Sequence, residues 1–278
     1  MPYPFQPDRM YRMPTHFGPR TGPRQGPDGR KFDCIDNPKS TSIAVALLTD
    51  AAYLEALLPP GFMLVGEPVV TVAATFMTEI EWLAGRGYNT LGVSFPATFR
   101  GERDHVTGNF LTVLWENLAD PIITGREELG FAKIYCELPE PTILRGEYHV
   151  VASWLGFQFL DLYVNNLHEQ SADEIASFAQ APTNDGILHY KYIPRTGEWG
   201  VADVAYPVLT PAATPNRVIT ARWVGQGTVE FHHARWEDLP TQYNIVNTFA
   251  GFPIREYRGA SITKTVGGKD LSDQRILR

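Results

Sequence analysis

The residues best able to do chemistry lie in Trp115-Glu116-Asn117-Leu118-Ala119-Asp120-Pro121-Ile122-Ile123-Thr124-Gly125-Arg126-Glu127-Glu128-Leu129-Gly130-Phe131-Ala132-Lys133. The run reads as a strand, then a short helix with Asp120 as its cap and Pro121 in its first turn. Gly130 stops that helix and a second strand, Phe131–Leu138, follows. Lys133 sits early in this strand between Phe131, Ala132, Ile134 and Tyr135. A lysine in such surroundings must snorkel, pair with a carboxylate or lose its proton, because desolvation disfavours the ammonium form. Glu127, Glu128 and Glu137 are the pairing candidates in sequence. A neutral lysine amine is a nucleophile for ketones.

Period-two alternation puts Lys133, Tyr135 and Glu137 on one face of the strand and Ile134, Cys136 and Leu138 on the other. Tyr135 and Glu137 are therefore candidate proton-transfer groups beside Lys133, with Tyr88 and Glu116 as further candidates. Arg126 and Glu127 either brace the helix against the sheet or touch a substrate. Cys136 faces away from Lys133 and has no histidine near it in sequence, which argues against a thiol nucleophile. His232-His233 would point to opposite faces of a strand, and no histidine shows metal-ligand spacing, so no metal is expected. Gly85-Arg86-Gly87 reads as a turn, without the strand and helix that a nucleotide-binding glycine loop requires.

The rest of the chain must position Lys133. It has 278 residues, 44% of them hydrophobic, enough to bury a core without disulfides or metals. The net charge of −7 comes without a basic, aromatic-flanked run, which argues against nucleic acid as a partner. No apolar run is long enough to span a membrane, and Met1–Arg20 lacks the apolar core of a signal peptide. Two cysteines, Cys34 and Cys136, read as free thiols of a cytoplasmic protein.

Residues 1–31 form a Pro/Gly/Arg-rich arm, either a loose tail or an element that wraps a partner subunit. Residues 32–278 read as one domain. Asp50 caps a helix stopped by Pro59-Pro60-Gly61. Strands are expected at 69–77, 88–99, 109–115, 189–193, 217–224, 228–235 and 254–265. A hairpin of 147–154 and 157–165 should turn near Gly156. Residues 168–180 read as a helix or loop, and 241–249 as a helix. The fold class is β-rich α+β.

Gly125-Arg126-Glu127, the spacer through Gly130, and Ala132-Lys133 together resemble the signature of the acetoacetate decarboxylase family. Thr49-Asp50, Leu58-Pro59, Glu67-Pro68 and Tyr88…Gly92…Pro96…Phe99-x-Gly101 follow that family's order, and weaker similarity extends over about residues 40 to 265. The resemblance implies an antiparallel sheet closed or nearly closed into a barrel with a few flanking helices. It implies a homo-oligomer, and a Schiff base between Lys133 and a small oxo acid.

There are departures. The family's second lysine is Ile134 here, and the proline before the nucleophile is Ala132. Its two active-site glutamates fall on Ala73 and Thr90, and its substrate-binding arginine falls near Ser40. The resemblance thus implies a lyase performing aldol, retro-aldol, dehydration or decarboxylation chemistry rather than a typical acetoacetate decarboxylase. The iminium itself is the electron sink, so no cofactor is expected. The competing expectation is a non-catalytic small-molecule-binding barrel that keeps Lys133 as a relic.

Overall fold

Alternation of Ser40, Ser42 and Ala44 with Ile43, Val45 and Leu47 makes the first strand two-faced, one side small and polar and the other apolar. The computed structural model describes residues 5–180 and 184–278. In chain order the strands are β1 (Lys39–Leu48), β2 (Phe62–Leu64), β3 (Val69–Ile80), β4 (Arg86–Arg100), β5 (His105–Glu116), β6 (Lys133–Tyr135) and β7 (Thr142–Leu144). There follow β8 (Glu147–Trp154), β9 (Phe157–Glu169), β10 (Gly186–Pro194), β11 (Ala202–Pro211), β12 (Val218–Phe231), β13 (Glu256–Val266) and β14 (Arg275–Ile276). The helices are α1 (Ala51–Glu55), α2 (Ala119–Thr124), α3 (Ala172–Gln180) and α4 (Tyr243–Ala250).

The strands join one sheet in the order β14-β11-β10-β5-β4-β3-β1-β13-β12-β9-β8-β7, with β2 on β4 and β6 on β5. Pairing is antiparallel except where β5 runs parallel to β10 and to β6. One cross-strand row shows how the core forms: Ile262, Ile43, Ala74, Leu91 and Trp115 stand opposite one another across β13, β1, β3, β4 and β5, and all are buried. The next row, on the other face, is Thr263, Ser42, Thr75, Thr90 and Glu116. The sheet therefore has an apolar side and a side of small polar groups that ends at a carboxylate.

The expected barrel closure does not occur. The sheet curls until Trp115 of β5 packs on Phe159 of β9, with ring centroids 5.3 Å apart. It nevertheless stays open, with β14 and β7 as its ends. The free side of β5 is taken by β10 at one end and β6 at the other, and just beyond β6 Glu137 forms an isolated antiparallel bridge with Ser153 of β8.

The 147–165 hairpin and the α1, α3 and α4 helices form where expected. Strands β1 and β11 were not anticipated, and the two runs 217–224 and 228–235 are one bulged strand, β12. The described part of the N-terminal arm, from residue 5 onward, packs on its own chain. Arg12 Nη1 pairs with Glu128 Oε1 at 2.9 Å and also donates to Thr124 Oγ1. Both cysteines are free and buried.

Candidate active site

After β5 ends at Glu116, α2 begins at Ala119. The residue preceding it is Leu118 rather than Asp120, which lies in the first turn. The helix then loosens into a π turn over Gly125–Leu129, and Gly130, at φ 80°, ends it in the left-handed region. This compact reversal returns the chain parallel to β5, so that Lys133 stands opposite Leu114 and Tyr135 opposite Glu116.

Gly125 is dictated by close approach. A Cβ there would lie 2.2 Å from Lys133 Cδ, 2.4 Å from Cε and 2.7 Å from Nζ. The helical segment thus lies directly on the lysine stem. Lys133 is 5% exposed and Glu116 is fully buried. Lys133 Nζ is 2.8 Å from Glu116 Oε1 and donates to the Pro121 carbonyl at 3.1 Å. The Phe131 and Tyr88 ring centroids lie 5.6 and 5.9 Å from the same nitrogen. Glu116 Oε2 has no hydrogen-bond partner among the described residues.

Burial drives both members of this pair toward their neutral forms. It lowers the Lys133 pKa, opposed by the Glu116 charge, and raises the Glu116 carboxyl to about 6, opposed by Lys133. Titration belongs to the pair, and the pair can pass a proton within itself. Burial, with the Glu116 charge, also pushes the Tyr88 phenol up, so it stays protonated.

Of the sequence candidates, the structure brings Lys133, Glu116 and Tyr88 together. Thr90 joins them on the same face, directly opposite Glu116 on β4 and buried. Arg126 donates from Nη1 to the Lys133 carbonyl at 2.9 Å, so it braces the strand. Tyr135 and Glu137 do not belong to the group. Tyr135 is 41% exposed because the helical cover reaches only the start of β6, and Glu137 accepts a hydrogen bond from Ser153 Oγ at 2.7 Å. None of the three anticipated glutamates pairs with Lys133. Glu128 is held by Arg12, and the partner is Glu116, which only the parallel pairing of β5 and β6 brings close.

The positions matching the family's missing charges share the face of Glu116. Ser40 stands opposite Met77, which stands opposite Tyr88, and Ala73 stands opposite Gly92. Lys39 and Glu79 pair with each other at 2.7 Å on the surface and bring no charge to the site.

Two supporting residues carried no signal in sequence spacing. His189 is buried, stacks on Phe131 with ring centroids 4.2 Å apart, and contacts the Gly130 carbonyl through Nδ1 at 2.9 Å. Its Nε2 lies 3.0 Å from Thr210 Oγ1. The carbonyl requires the proton on Nδ1, and burial lowers the ring to about 4, so it is neutral near pH 7. Lys191 Nζ donates to the Glu127 carbonyl at 2.5 Å and ties down the π turn. Both residues lie on β10, which docks on the far end of β5. Beside the site is a cavity of about 470 Å³ whose lining includes Tyr88, Met77, Trp82 and Leu271.

The family model for acetoacetate decarboxylase (ADC) matches residues 12–266. No curated protein matches the chain in sequence. Among solved structures, acetoacetate decarboxylase from Legionella pneumophila is 19% identical, covering 91% of this chain and 92% of that one with a TM-score of 0.64. An acetoacetate decarboxylase-like enzyme from Sphingomonas wittichii RW1 is 18% identical, covering 87% and 94% with a TM-score of 0.60. The enduracididine biosynthesis enzyme MppR, complexed with pyruvate, is 16% identical, covering 91% and 95% with a TM-score of 0.58. MppR is also known with the condensation product of pyruvate and imidazole 4-carboxaldehyde, at 16% identity and a TM-score of 0.57. At these identities the solved structures establish the shared fold. With the family model spanning most of its length, the chain belongs to the acetoacetate decarboxylase family.

Proposed function

We propose that the protein is a Schiff-base lyase acting on a small oxo acid, with Lys133 as the nucleophile and aldol condensation followed by dehydration as its reaction. The observation that carries this reading is the buried Lys133–Glu116 pair, shifted on both sides toward neutrality. A neutral amine can attack the ketone, and a neutral carboxyl beside it can protonate the departing carbinolamine hydroxyl. The resulting iminium withdraws electrons from the neighbouring carbon. Glu116, now a carboxylate, removes a proton from that carbon and leaves an enamine. The enamine attacks an aldehyde, the new alkoxide takes a proton, and loss of water yields an unsaturated product iminium. Hydrolysis then frees Lys133.

Decarboxylation demands something else. The substrate carboxylate must be oriented by a cation and then desolvated. Ser40, Ala73 and Thr90 stand where the family resemblance expects charge, and none carries any. That MppR is known with pyruvate and with an aldehyde-condensation product supports the choice of reaction. The test measures CO2 release from acetoacetate beside benzylidene-pyruvate formation from pyruvate and benzaldehyde. Condensation should dominate. Fast CO2 release without condensation product would identify a conventional decarboxylase with a rearranged acid–base set.

A further inference from the structure

We propose that Tyr88 is a swinging partition between Lys133 and the neighbouring cavity, and that this cavity takes the aromatic-sized, apolar tail of the reacting oxo acid. The inference rests on the Schiff-base reading and adds to it a tail class and an entry route.

Lys133 does not line the cavity, whereas Tyr88 does, and the Tyr88 ring centroid is 5.9 Å from Lys133 Nζ. The ring is therefore the wall that the two spaces share. Nothing fixes that wall through its hydroxyl, because among the described residues the Tyr88 phenol makes no hydrogen bond. Its backbone is also at a weak point of the sheet. The β3–β4 register is regular through the Met77–Tyr88 pair and shifts just beyond it, where Glu79 adopts φ 57°. A second strained residue stands on the same wall. Leu271 adopts φ 61° in the C-terminal loop, lines the cavity, and packs on the Leu111, Leu129 and Phe131 cluster beside Lys133. Non-glycine residues held in this region are strained and gather at ligand clamps.

The cavity's volume of about 470 Å³ is within the range of small-molecule pockets. Phe32, Met77, Trp82 and Ile187 give it apolar walls. Of the charged groups lining it, Glu81 pairs with Arg30 at 3.6 Å and Lys269 with Asp273 at 2.6 Å, and Arg217 is exposed to solvent. Its interior therefore favours hydrocarbon over charge, and rotation of Tyr88 would place a carbonyl at Lys133 with its tail in this space.

The experiment measures borohydride trapping rates by intact mass for pyruvate, which has no tail, and for 4-phenyl-2-oxobutanoate. Tyr88→Ala should raise both rates several-fold by opening the partition. Ile187→Trp, which fills the cavity from β10, should lower the ratio of aryl to pyruvate rates several-fold. Rates unmoved by Tyr88→Ala would overturn the partition, and a ratio unmoved by Ile187→Trp would overturn the tail site. Ile187→Trp lies away from the Lys133–Glu116 pair and so tests the tail site even where Tyr88→Ala fails to fold. Failure of the Schiff-base reading has a different signature: no Lys133 adduct with either oxo acid in the unaltered protein.

Discussion

Lys133 Nζ lies 2.8 Å from Glu116 Oε1, and that contact favours the charged form of the buried lysine. Burial lowers the Lys133 pKa, while the Glu116 charge raises it. Removing the charge therefore lets the pKa fall further. In Glu116→Gln, the acidic limb of the pH profile for adduct formation should move to lower pH by roughly 1–3 units, the usual effect of one close opposite charge. Trapping rates measured from pH 5 to 10 check this. A limb that moves to higher pH would contradict the assigned sign.

Gly125 tests how closely the π turn must lie on the lysine. Its Cβ would stand 2.2 Å from Lys133 Cδ, so Gly125→Ala must push the stem aside. Overpacking of this kind costs about 1–3 kcal/mol. Adduct formation should fall at least tenfold, while Gly268→Ala serves as a contrast, since the added carbon there meets only Pro38 Cδ, at an ordinary 3.6 Å.

The arm holds the same segment from outside. Arg12 and Glu128 form a buried pair at 2.9 Å. Arg12→Ala leaves a buried carboxyl group without this partner, and breaking such pairs costs about 3–5 kcal/mol. The urea midpoint and the trapping rate should both fall, and Glu128→Gln added to Arg12→Ala should restore much of the loss. A double variant as unstable as the single one would mean that packing, not charge, makes the contact.

His189 predicts an acid sensitivity. Its ring is held neutral, with a pKa lowered from 6.5 to about 4. Between those values the unfolded chain binds more protons than the folded one, so its contribution is full above pH 6.5 and is lost as pH falls toward 4. The loss is on the order of 3 kcal/mol, at about 1.4 kcal/mol per unit. Urea unfolding at a series of pH values checks this, and His189→Asn should flatten that part of the slope.

Much of this was legible in the residues, and what was not is non-local. Apolar surroundings marked Lys133, and alternation separated Cys136 and Leu138, which enter the main core, from Lys133. The same alternation placed Tyr135 and Glu137 beside it, but β6 ends at Tyr135 and Glu137 turns to Ser153. Glu116 stood among the proton-transfer candidates, yet its pairing depends on β6 running parallel to β5, which no local pattern encodes. Gly225-Gln226-Gly227 read as a break between two strands. In the fold they continue β12, and Gly227 allows close packing: a Cβ there would lie 2.7 Å from both the Tyr163 carbonyl and Val45. A closed or nearly closed barrel was what the family resemblance implied. It stays open because β5 has no free edge left to offer.

Borohydride trapping reads out directly whether Lys133 forms a Schiff base. The protein is incubated with pyruvate and borohydride, and the adduct is counted by intact mass and located by peptide mapping. We expect one adduct per chain, on Lys133, absent from Lys133→Ala. Adduct formation undiminished in Lys133→Ala, or none in the unaltered protein across a panel of oxo acids, would overturn the proposed Schiff base.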